Sequence, residues 1–266
     1  GDHGLANYDL DWVGIVPGYR ESRRLEGDYI LTENDVRANR IFEDAVAYGG
    51  WPMDEHTRGG IMDFDKLPAR ILNFEGNYTI PYRCYYSKDV SNLMMAGRNI
   101  STSKMAFGST RVMGTCAIGG QAVGTAAALA VKYDCTPREL GQQRITELQQ
   151  TLLKDDCFIP GYRNIDKKDM ARQAKVSATS STEGCGPENV INGISRTTES
   201  GSNVWESKPL GENGEGITLS LNKKSDVREI RIYFDPNFTK EIMPSITKTV
   251  LDRQVEGMPS ELVRDY

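Results

Sequence analysis

The sequence is short of several things, and each shortage closes a class of function. Only two histidines occur, His3 and His56, and the five cysteines (84, 116, 135, 157 and 185) form no C-x-x-C pair. That leaves no donor set at zinc-ligand spacing, and the odd, scattered thiols read as buried free cysteines rather than a disulfide framework. Lys and Arg number 32 against 37 Asp and Glu, a formal net charge of −5. Such a chain has no excess of cations for phosphate backbones, which argues against nucleic acid as a partner. No run of eighteen uninterrupted apolar residues is present, so no membrane span is expected, and no signal peptide is visible. Apolar residues make up 38% of the 266, enough for a core but leaving much of the chain at the surface. Most telling, no G-x-G-x-x-G turn occurs anywhere, so the chain has no dinucleotide-phosphate cradle of that kind.

What is abundant is glycine, and it is concentrated. "NLMMAGRNISTSKMAFGSTRVMGTCAIGGQAVGTAAALA", residues 92–130, has glycines at 97, 108, 114, 119, 120 and 124. A strand is expected over 92–96 and a small-residue helix over 120–133. Gly119, Gly120 and Gln121 would stand at that helix's mouth, where free N–H groups bind anions and dipoles. The same pattern also suits a helix packed tightly on a sheet with no ligand.

Elsewhere the pattern predicts strands over 10–16, 25–31 and 78–86. A helix is predicted from Thr32 as N-cap with Asp35 at N3, carrying Ala38, Ile41, Phe42, Ala45 and Val46 on one face and ending at Gly49-Gly50. Residues 51–77 read as irregular. "TPREL" supplies a capping box, with Thr136 as N-cap, Pro137 at N1 and Glu139 at N3, ahead of Leu140, Ile145, Leu148 and Leu152. The grammar then changes. Residues 156–170 read as a turn-rich linker, and 171–266 as an all-β module in which "ITLSL" and "EIRIYF" alternate strictly.

The strings "PYR", "AGRNIS", "GSTRVMGTC" and "GQAVGTAAAL", in this order, resemble the C-terminal flavin-contacting part of bacterial FAD-dependent oxidoreductases related to the succinate dehydrogenase and fumarate reductase flavoproteins. "PGYRESRRLEGDYILTENDV", "GWPMDEH" and "YTIPYR" extend the resemblance over about residues 10–155. It implies an α+β or α/β fold, the C-terminal part of a Rossmann-type flavoprotein over 1–155, with FAD as cofactor and a small molecule as substrate. It places Ala96, Gly97 and Arg98 near the ribityl chain and pyrophosphate, and Gly119, Gly120, Gln121 and Ala122 at the flavin ring. The ADP half of FAD then needs an N-terminal dinucleotide-binding domain outside these residues, so the chain is expected to be a C-terminal piece of a longer flavoprotein. The compartment of that longer protein stays open, periplasmic or secreted among the options.

Two residues are the catalytic candidates. Arg111, in "GSTRVMG", resembles an arginine that meets a substrate carboxylate or developing charge in those relatives; capping a loop is its other reading. His56, in "MDEHTRGG", has the residue type for acid–base work near a flavin, or is a histidine on a polar loop. Arg20, Arg23 and Arg24 either line a cavity or solvate a turn. Arg83 faces either the flavin or a packed carboxylate, and Cys116 reads as structural.

The tail "ENVINGISRTTESGSNVWES…ITLSL…DVREIRIYFD" is similar to a discoidin-like, coagulation-factor type C β-sandwich, shortened here. Such modules often bind carbohydrate, with Trp205 and Tyr233 as stacking candidates, although Trp205 reads more simply as a core residue. That resemblance supports a second function, sugar binding or polysaccharide processing, although no pair of catalytic carboxylates for glycoside cleavage is visible.

Overall fold

A computed structural model describes residue 4, residues 6–16 and residues 23–235. Arg20 and the last residues of the β-like tail lie outside that set.

Chain order runs α1 (Glu33–Arg37), β1 (Ala45–Gly49), β2 (Met53–His56), β3 (Ala69–Leu72), β4 (Tyr78–Pro81), α2 (Lys104–Thr110), α3 (Met113–Lys132), α4 (Pro137–Lys154), β5 (Lys175–Ala178) and β6 (Ile217–Ser220). Among the described residues the sheets are three antiparallel pairs, β1–β4, β2–β3 and β5–β6. Helix α3 packs on both β1 and α4, and α2 packs on β2. The core between them is filled by Leu31, Met53, Tyr78, Ile80, Tyr82, Tyr85, Leu140, Leu148 and Leu152, none more than 1% exposed.

Both capping signals are present as expected. Thr32 and Asp35 cap α1 reciprocally, and Thr136 and Glu139 cap α4. Leu140, Leu148 and Leu152 are fully buried and Ile145 packs against them. Burial pushes the Asp35 carboxyl up, but the Thr32 backbone N–H and hydroxyl and the Arg40 guanidinium outweigh it, so the group sits below the ordinary carboxylate value. A depressed carboxyl adds stability that is present above its unfolded value and lost as pH falls through the lower folded one. The stability gap between wild type and Asp35→Asn should therefore narrow from about pH 6 to about pH 3, read as converging urea midpoints.

Several expected elements are corrected. Helix α1 stops at Arg37, Asn39 turns with φ +47°, and Ala45–Gly49 is strand β1, paired Ala47↔Ile80 and Gly49↔Tyr78. Its first three residues are buried in succession, so no alternation marks it as a strand, and its apolar positions suit a helical period equally. Residues 51–77 are not irregular but hold the β2–β3 hairpin. The strand expected over 78–86 ends at Pro81 and passes into a 3-10 turn, Tyr82–Cys84. Residues 92–96 make a single bridge, Tyr86↔Met94, rather than a strand. Among the described residues, the stretches expected as strands at 10–16 and 25–31 form no ladder, and the second makes one bridge, Leu31 to Thr102.

Helix α3 starts at Met113, well ahead of the expected residue 120. It is long and apolar enough to cross a membrane by length and composition alone, yet Gly119, Ala122, Ala126 and Leu129 turn into the core.

Beyond residue 154 the chain keeps touching this core. Ile159 is fully buried, and the Tyr162 hydroxyl donates to the carbonyls of Phe42 and Glu43 at 2.7 Å. The tail contributes the β5–β6 ladder, but "EIRIYF" forms no strand pairing among the described residues and leaves Ile230 79% exposed. It lies instead against the end of α4, where Arg231 pairs with Asp155 and the Tyr233 hydroxyl donates to the Lys154 carbonyl. The Trp205 indole N–H donates to the Ser180 carbonyl at 3.0 Å. All five cysteines are free.

Candidate active site

The site is built where α2 meets β2. Ser103 caps α2, accepting from the Ala106 N–H. One turn on, Gly108 lies directly on the Asp54 backbone: a Cβ there would stand 2.7 Å from the Asp54 carbonyl oxygen. This close approach brings the C-cap of α2, Arg111, over β2. Its Nη2 donates to Asp54 Oδ2 at 2.9 Å, and its side chain is only 11% exposed. His56 Nε2 lies 3.2 Å from the same oxygen. Beside this group, Lys104 and Glu55 pair at 3.2 Å.

The two catalytic candidates, 55 positions apart in the numbering, are thus joined by one carboxylate. Asp54 is the joining residue that single-residue reading missed. Its adjacency to His56 was visible, but its pairing with Arg111 spans 57 residues and exists only because Gly108 permits the approach. The other oxygen, Asp54 Oδ1, is buried without a hydrogen-bond partner, a state that leaves an acceptor's desolvation uncompensated.

Helix α3 starts immediately after Arg111. Its N-cap is Val112, which offers no side-chain acceptor, and its first turn holds no acidic residue. A 20-residue helix therefore presents its first N–H groups without a side-chain cap, and its partial positive charge unopposed by a carboxylate in that turn. The mouth of the helix is thus at Met113 and Gly114, not at Gly119 to Gln121 as expected. The reason is that the glycines sit inside the helix rather than before it. Gly119 is required there by packing, since a Cβ would meet the Tyr85 ring at 2.7 Å. Ala122 is 1% exposed in the same core.

Gly120 and Gln121 lie on the other side. Gly114, Gly120 and Gly124 have nothing within 4 Å of an added Cβ, and Ala117, Gln121 and Ala128 are exposed beside them. This face is smooth, and no contact within the described residues requires it to be.

The turn of Ala96, Gly97 and Arg98 approaches the first turn of α3. Gly97 has φ +89°, a conformation glycine adopts without strain. Burial pushes the Cys116 thiol up, against the pull of the nearby Arg98 charge. A thiol raised by burial is a poor nucleophile, in keeping with a structural Cys116. Arg83 makes a two-point pair with Asp44 at 2.9 and 3.1 Å, so the packed-carboxylate reading holds for it. A separate concavity of about 630 Å³ between α4 and residues 40–44 contains that pair and none of the predicted site residues.

The profile of a family described as FAD dependent oxidoreductase matches residues 3–152, more than half of the chain. The chain belongs to the FAD dependent oxidoreductase family. No curated protein and no solved structure gives a match. Membership brings FAD as cofactor and a small molecule as substrate, on a mixed α and β fold with small sheets.

The residues of this FAD dependent oxidoreductase chain fit one half of that cofactor. N–H donors at an uncapped helix start and an open glycine face suit a flat ring with carbonyl acceptors along one edge. For the ADP half, no G-x-G-x-x-G cradle is present in the sequence.

Proposed function

We propose that this chain supplies the flavin-ring and substrate side of an enzyme related to the succinate dehydrogenase and fumarate reductase flavoproteins, in which a hydride passes between a small substrate and FAD. The observation that carries the reading is the convergence of Arg111 and His56 on Asp54 Oδ2, immediately before the uncapped start of α3. FAD, when bound, supplies the hydride-exchanging centre.

The protein's own groups do the rest. Arg111, fixed by Asp54 and by the Phe107 ring at 5.9 Å, is the cation that meets a substrate oxygen or carboxylate. With Nε2 of His56 donating to Asp54, Nδ1 is the ring atom able to take a substrate proton or return it. Ala96, Gly97 and Arg98 border the ribityl side, and Gly120 and Gln121 the outward face of α3. The same open face receives the dinucleotide-binding domain that completes the cofactor site. Gly119 and Ala122 support that face from beneath, through Tyr85 and the core. A carbohydrate role for the tail draws no support from Trp205, which is half-buried and bonded to Ser180.

The test is the visible spectrum of the longest natural chain containing these residues, purified without added cofactor. A flavin spectrum is expected. A colourless protein that also fails to take up added FAD would overturn the reading. In the flavin-bearing protein, Arg111→Leu and His56→Gln should each slow substrate-driven flavin reduction by about 100-fold or more.

A further inference from the structure

The concavity between α4 and residues 40–44, about 630 Å³, is of the size of a small-molecule site, and none of the residues assigned above to flavin or substrate lines it. Its apolar wall is fixed. Phe42, Tyr82 and Tyr86 are buried there, and the two tyrosine rings pack with centroids 5.2 Å apart. Gly141 lets α4 close on this wall, since a Cβ at that position would stand 2.8 Å from Tyr82 Cδ1. Ile41 and Ile145 line the same space and are only partly covered.

Its polar lining is charged but paired. Arg138 reaches both oxygens of Asp28, at 2.7 and 2.6 Å, and Arg83 both oxygens of Asp44, at 2.9 and 3.1 Å. Arg40 Nη1 donates to Asp35 at 3.0 Å. Glu43 is the lining charge with no ionic partner among the described residues, and it is exposed to water. The pairs leave hydrogen-bonding groups of both kinds unused. Within the described residues Arg83 Nη1 and Arg40 Nη2 donate to nothing. Asp28 and Asp44 each accept three bonds, where a carboxylate can accept about four. At the rim, the side chains of Glu43 and Gln142 are exposed side by side with these groups.

An anion entering this space would meet Asp28, Glu43 and Asp44, and a cation would meet Arg40 and Arg83. A hydroxyl donates and accepts at once, so adjacent hydroxyls match donors and acceptors that stand alternately around the wall. The carbon face of the same molecule suits Ile41 and Ile145. We propose that the concavity is a second ligand site, which takes a neutral polyhydroxylated molecule of the small-saccharide class. The site stands apart from the flavin reading and from the β-like tail, and needs neither.

The test uses the longest natural chain, titrated with cellobiose, maltose and lactose by calorimetry and by saturation-transfer NMR. Malonate and putrescine are the charged comparisons. At least one of the disaccharides should saturate, and neither charged molecule should compete with it. Glu43→Ala combined with Gln142→Ala should weaken that disaccharide by about tenfold or more, the scale of losing two hydrogen bonds, one of them to a charged group. Both side chains are exposed, so the urea midpoint should stay at the wild-type value, which separates a lost site from a lost fold. Gln143→Ala, exposed one position further along α4 and outside the concavity, should leave the affinity unchanged.

A colourless chain that binds a disaccharide through Glu43 and Gln142 would remove the flavin reading and leave this site standing. A disaccharide that shifts the flavin spectrum and ignores the double variant would lie at the flavin instead, and would overturn the second site. Binding of none of the three sugars, or of putrescine through Glu43 in their place, would overturn it as well.

Discussion

Replacing Gly108 with valine should cost about 3 kcal/mol of stability and separate Arg111 from Asp54 in the same step. An added Cβ would stand 2.7 Å from the Asp54 carbonyl oxygen, 2.9 Å from its nitrogen and 3.1 Å from its carbonyl carbon. These are backbone atoms of a paired strand, so no side-chain rotation relieves the overlap. Helix α2 must lift from β2, and the 2.9 Å contact between Arg111 Nη2 and Asp54 Oδ2 cannot survive that movement. Urea unfolding would read the first effect and flavin reduction the second. The control for both readouts is Gly211→Val, outside the site, where an added Cβ meets nothing within 4 Å. If Gly108→Val left the unfolding midpoint unchanged, the close seating of α2 on β2 would be wrong, and with it the construction of the site.

The parts of this fold that could be read from the sequence are those decided locally. Thr32 with Asp35 and Thr136 with Glu139 are reciprocal caps within four residues, and no distant contact is needed to recognise them. The start of α3 was misplaced for the opposite reason. Glycine costs about 1 kcal/mol in a helix interior relative to alanine, so a run with glycines at 114, 119 and 120 reads as a turn. Tertiary contact overrides that cost at Gly119, where only a hydrogen leaves room for Tyr85. Strand β1 was hidden because it is buried on both faces and shows no period of two. The hairpin of β2 and β3 was hidden by the turn-rich loop between its strands.

The candidate site divides in the same way. Arg111 and His56 could be named one at a time, from residue type and from resemblance to a family. That they share Asp54 Oδ2 follows from a helix resting on a strand 57 residues away in the chain, which no local pattern encodes.

Glutamine at both Gly120 and Gly124 should make the chain more stable and yet strip it of flavin. Both positions are inside α3, and neither has an atom within 4 Å of an added Cβ. Glutamine is a better helix former than glycine by roughly 0.5–1 kcal/mol per site, so the unfolding midpoint should rise. Within the described residues nothing opposes the change. A helix that forgoes this stability on one face, while Gly119 on the other face is dictated by Tyr85, must owe its smoothness to something that lies against it. In the functional reading that is the flavin or the dinucleotide-binding domain. Two long side chains on that face would then lower flavin content by at least about tenfold, the scale of losing well over 1 kcal/mol of binding. Gly119→Ala is the contrast, losing stability through the core before any effect on the cofactor. Should the double variant keep its full complement of flavin, the open face of α3 would not be the cofactor side. The uncapped start at Met113 and Gly114 would then have to carry the flavin contact alone.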